Sequence, residues 1–136
     1  MTTPAVSSSC SSADEIAAPP LGQLLLRSAA GRRDRTAVQA LVEEEKLLAL
    51  DNVRGALVTK ADGVMTCRWE VMARRLYTLG LDDGDRAFLG LVLSIVGVRQ
   101  GYLSAVEYLD ERRLKIMLHA MIRLTSNDRL AIGTRL

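Results

Sequence analysis

The stretch Asp83-Gly-Asp-Arg-Ala-Phe-Leu-Gly-Leu-Val-Leu-Ser-Ile-Val96 decides how this chain is read. Asp82, Asp83 and Asp85 crowd its start, where negative charge meets the positive end of a helix dipole. From Ala87 onward Ser94 is the one polar side chain. A helix that is apolar on every side belongs inside a fold, so 83–96 is expected to be the central helix of a bundle. Gly90 and Ser94, four residues apart, would let a neighbour approach closely. The run from Ala87 to Val98 has twelve residues, short of the roughly 18–20 of a membrane span.

Working back from that helix, Trp69, Met72, Ala73, Leu76 and Leu79 share a helical face, and Gly80 closes the element. Residues 51–68 admit two readings. A helix from Asp51 to Lys60 followed by a loop at Asp62-Gly63 leads, because an isolated hairpin is marginal unless something covers it. The alternative is a small β-hairpin over 55–68, supported by the β-branched residues Val58, Thr59, Val64 and Thr66 around an Asp-Gly turn. Further back, Asp34 or Thr36 is expected to cap a helix to about Leu50, with the stripe Ala37, Val38, Leu41, Val42, Leu48 and Ala49. At the helical period Glu45 projects into this stripe, which marks it as a buried carboxylate paired with an arginine or facing a cleft. Pro19-Pro20 and Gly31 bracket a short helix whose face holds Leu21, Leu24, Leu25 and Ser28. Residues 1–20, with five Ser, three Pro and two Thr and no hydrophobic period, read as a disordered tail ahead of one helical domain over 21–136.

Beyond the central helix, Gly97 and Gly101 bracket a short connection. Ser104 is expected to cap a long helix to about Thr125, with a seam of Val106, Leu109, Leu114, Met117, Leu118, Met121 and Leu124. Its wet face carries Arg112, Lys115, His119 and Arg123, followed by Arg129 and Arg135. The fold class is therefore mainly all-α, a compact bundle of about five helices around 83–96.

Composition narrows the function. The chain has 136 residues, 49% of them apolar, and a formal net charge of +2, which argues against a wholly disordered, histone-like or acidic-tail protein. Fifteen Arg to three Lys reflects GC-rich coding and is weak evidence of arginine-specific recognition. One His and two Cys are too few soft ligands for a dedicated zinc site, so neither metal nor cofactor is expected. The first residues lack a basic n-region and an apolar h-region, which leads us to expect a cytoplasmic protein with reduced thiols. Cys67 then reads as a small buried hydrophobe.

Sites of chemistry are sparse. His119, the sole imidazole, falls on the wet face without a pocket, so no catalytic residue is assigned. Asp82-Asp83-Gly84-Asp85 echoes a calcium loop but lacks the closing Glu. The segment 70–95 looks superficially like a helix-turn-helix, yet its second helix offers almost no polar side chains to reach base edges. Two functional expectations remain. The first is a non-enzymatic interaction or regulatory protein, self-associating as a homodimer through surfaces that include Leu21, Leu24, Leu25, Met72, Met117 and Met121. The second is a DNA-associated regulator, or a protein meeting an acidic partner, through Arg112, Lys115, His119, Arg123 and Arg129.

Overall fold

A computed structural model describes residues 20–126. The expected tail, apart from Pro20, and Arg129, Arg135 and the C-terminal segment lie outside the described residues. The elements in chain order are helices α1 (Leu21–Ser28), α2 (Gly31–Glu44) and α3 (Asp51–Leu57), then strands β1 (Val58–Ala61) and β2 (Val64–Cys67). Helix α4 (Trp69–Arg75) continues into a 3-10 turn, Leu76–Thr78, and is followed by α5 (Asp83–Val96), a 3-10 segment, Leu103–Tyr108, and α6 (Glu111–Thr125). The fold is mainly all-α with one small antiparallel sheet of two strands.

Helix α5 spans the residues expected of it. Asp82 caps it, its carboxylate accepting from the Asp85 N–H at 2.7 Å. Gly97 ends it in the left-handed conformation, and the Val98 N–H returns to the Leu93 carbonyl at 3.2 Å. Phe88, Leu89, Val92 and Leu93 are buried in the core, whereas Ala87, Gly90, Leu91 and Ile95 on the other side remain half-buried. The close approach expected at Ser94 is made by the connection that follows: a Cβ on Gly101 would meet the Ser94 Cβ at 3.0 Å. Helix α2 shares the centre, packing on α1, α5 and α6.

Both readings of 51–68 hold in part. Residues 51–57 are helical, and the hairpin follows, pairing Val58 with Cys67 and Ala61 with Val64. Asp62 and Gly63 both take positive φ, as a tight two-residue hairpin turn requires. What an isolated hairpin lacks is supplied by α1, which packs on β2 and whose Ser28 hydroxyl donates to the Met65 carbonyl.

Two helices differ from expectation. Helix α2 starts at Gly31, where the Asp34 carboxylate reaches back to the Ala30 N–H at 2.9 Å, and it stops at Glu44 rather than Leu50. The stop has a local cause: Glu45 adopts φ 71°, and the Glu44 carboxylate accepts the Leu47 N–H at 2.7 Å. The helical period does not extend through such a break. Glu45 is therefore exposed, and its neighbour Glu44 is the buried carboxylate. Helix α6 starts at Glu111, capped by Asp110 through the Arg113 N–H at 2.7 Å, and Ser104 lies instead in the preceding 3-10 segment. Its buried face is Ile116, Met117 and Ala120, with Leu114 and Met121 exposed. The helix is turned this way because Arg113 faces inward to an acidic pair.

Among the described residues no helix is long and apolar enough to cross a membrane.

Candidate functional site: a cleft of tyrosines and arginines

All three tyrosines of the chain line one cleft of about 260 Å³. Tyr77 comes from the 3-10 turn after α4, and Tyr102 and Tyr108 flank and close the segment 103–108. The floor is the half-buried side of α5, Ala87, Gly90 and Leu91, with Leu76 beside it. The feature that makes α5 apolar all round thus gives the cleft its base. Gly101 lets the connection lie against Ser94, which places Arg99 and Tyr102 on the rim.

The guanidinium groups of Arg86 and Arg99 stand 5.4 and 5.2 Å from the centre of the Tyr77 ring, within cation–π range. Arg99 also donates to the Tyr77 hydroxyl at 3.2 Å, and Arg86 pairs with Asp83 at 2.5 Å. These contacts hold Tyr77 upright without hiding it. Tyr77 is 66% exposed, Tyr108 58%, Tyr102 72% and the adjoining Leu103 78%, the most exposed large hydrophobic side chains among the described residues. Aromatic rings with arginines at their edges bind by area, cation–π contact and hydrogen bonding.

Beneath one end of the cleft lies an ionic cluster. Glu44, fully buried, accepts from Arg113 Nε at 3.1 Å and from Arg112 Nη2 at 3.2 Å. Arg113 Nη2 donates onward to Asp85 Oδ1 at 2.7 Å, so the end of α2 and the starts of α5 and α6 are joined. Burial alone would lower the Arg113 pKa, but the hydrogen bonds it donates to Asp85 and Glu44 and their charges raise it above the ordinary arginine value. A Cβ on Gly84 would meet the Tyr108 carbonyl oxygen at 3.2 Å and Arg113 Nη1 at 3.3 Å. The cluster therefore positions the backbone that carries Tyr108. Its groups are saturated: among the described residues no buried side-chain nitrogen or oxygen lacks a partner. Its chemistry is that of a clasp.

The residues singled out in the sequence are dispersed. Arg112 is engaged by Glu44 and by the main-chain carbonyls of Glu43 and Glu44, and Arg123 pairs with Glu43 at 2.7 Å. Lys115 is exposed and His119 half-buried, so the basic stripe does not present four free charges. Leu25, Met72 and Met117 are core residues, not surface, because the hairpin and α2 pack on α1, while α3 and α5 pack on α4, and α2 packs on α6. Leu21 and Leu24 are half-buried, and Met121 is exposed. Cys67 is half-buried, its thiol pushed up to about 12 by burial and then by the charge of Asp34, which suits the reading of a small hydrophobe. Among the described residues no cluster of three or more His, Cys, Asp and Glu is placed to hold a metal ion.

The apolar seams alone do not reveal the cleft. Its signal was present: no tyrosine falls on any of the apolar seams, although the chain has only five aromatic residues. No family model, curated protein or solved structure matches the chain.

Proposed function

We propose that this is a small cytosolic interaction protein, regulatory rather than enzymatic, that binds protein surfaces through the tyrosine cleft, with a second copy of itself as partner. The observation that carries the reading is the juxtaposition of a knob and a hole on one face. Tyr102 and Leu103 project from the rim beside a cleft with an apolar floor. A two-fold dimer needs one self-complementary patch, in which the knob of each copy fills the hole of the other. Tyrosine and arginine are also, with tryptophan, enriched at the energetic centres of interfaces. Contacts of this kind would cover the outer side of α5 that one copy leaves half-buried. The α6 stripe is a weaker basis for nucleic-acid binding, because Arg112 and Arg123 already share their charge with Glu44 and Glu43.

Light scattering across a concentration series tests this. The expected mass rises above the 14.9 kDa of one chain toward twice that value, and Leu103→Asp returns it to one chain without loss of helical circular dichroism. A mass that stays at one chain up to millimolar concentration would overturn the self-association reading.

A further inference from the structure

We infer that the chain carries a second site, built for a small phosphate-class dianion, at the opposite end of α2 from the ionic clasp. Helix α2 opens Gly31-Arg-Arg-Asp-Arg-Thr, and Arg32 and Arg35, three residues apart, stand on one side of it. With Thr36, Gln39 and Arg123 from the last turn of α6 they line a cavity of about 500 Å³, within the size range of small-ligand sites. Thr36 is only 3% exposed, a buried polar side chain at the wall of the cavity.

Arg123 is paired with Glu43, whereas Arg32 and Arg35 line the cavity with no ion pair among the described residues. Among the described residues no carboxylate lines the cavity. The acid within the arginine run, Asp34, is turned away and occupied by the Trp69 indole N–H at 2.7 Å and the Ala30 N–H at 2.9 Å. Arg32 and Arg35 form no ion pair among the described residues, which pair only Arg54, Arg86, Arg112, Arg113 and Arg123. Arg123 is oriented by Glu43, whose Oε2 also accepts the Gln39 amide at 3.0 Å. Three guanidinium groups against the one carboxylate of Glu43 leave a surplus of two positive charges. A phosphate monoester carries about −1.5 to −2 and offers oxygens that match the forked donors of arginine. A phosphodiester backbone supplies a single charge per phosphate, so the match is to the monoester.

The test uses the full chain and inorganic phosphate as probe, by calorimetry and by NMR shifts of the α2 amides, with a short DNA duplex as a separate arm. Phosphate should bind, and Arg32→Gln and Arg35→Gln should each weaken it about tenfold, whereas Lys46→Gln beyond the far end of α2 should not. Arg32 and Arg35 are exposed, so these variants are expected to keep the native circular dichroism. Phosphate binding lost in both arginine variants supports the site, whether or not the duplex also binds. Absence of phosphate binding, binding of the duplex alone, or binding that ignores both arginine substitutions overturns it.

Discussion

Arg113 reaches across from α6 to Glu44 at the end of α2, Nε to Oε2 at 3.1 Å, and places a guanidinium against a carboxylate that no water reaches. Three helix ends converge there, because the same guanidinium also holds Asp85. Taking one partner from a buried pair leaves the other uncompensated, which costs more than the pair itself contributes.

Glu44→Gln is accordingly expected to lower stability by about 3 kcal/mol, read from the midpoint of urea unfolding. The loss should be largely absent when Arg113→Leu is already present, as a double-mutant cycle would show. A change below about 0.5 kcal/mol would mean that the clasp contributes no stability.

Glu45 gives the opposite expectation. Its φ of 71° is a conformation that glycine adopts without a Cβ penalty, and its side chain is exposed. Glu45→Gly should therefore be neutral to stabilising, by up to about 1 kcal/mol despite the freer unfolded chain. A clear destabilisation would show that the Glu45 side chain makes a contact of value.

The methionines separate core from surface. Met72 is fully buried and Met121 half exposed, although both fall on seams of the same periodicity in the sequence. Met72→Ala should cost about 2–5 kcal/mol and Met121→Ala less than about 0.5. Thermal or urea unfolding of the two variants distinguishes them, and equal costs would contradict the orientation of α6.

Cys67 makes stability depend on alkaline pH. Its thiol is raised from 9.0 to about 12 on folding, by burial first and the Asp34 charge second. A raised folded pKa means that the stabilisation is fully present below pH 9, where both states hold the proton. It is lost as pH rises from 9 toward 12, because the unfolded chain releases its proton first. Across that window the protein with Cys67 should lose up to roughly 4 kcal/mol relative to Cys67→Ala, measured by urea unfolding with the chain's other cysteine, Cys10, replaced by Ser in both. Parallel pH profiles for the two proteins would refute this.

Much of the fold is legible locally. Helix α5 can be read to the residue because its start and stop signals, Asp82 and Gly97, act within a few residues of themselves. The hairpin is only half legible. Its turn is written in Asp62-Gly63, but its stability depends on α1 lying over β2, a contact between segments some 37 positions apart. The exchange of Glu45 for Glu44 has a similar origin. A helical wheel carries its phase forward indefinitely, whereas the real helix ends where a side chain caps the next turn.

What the sequence by itself determined is the helical class and the greasy central helix. Those follow from periodicity, capping and composition, each a property of neighbouring residues. Only the tertiary structure decided that Arg113 turns inward, that Met72 and Met117 are core, and that Tyr77, Tyr102 and Tyr108 meet around one cleft. The physical reason is that burial and charge pairing belong to pairs of residues distant in the chain. An arginine looks solvated until the fold places a buried carboxylate opposite it, and three scattered tyrosines form a surface only once α5 lies between them.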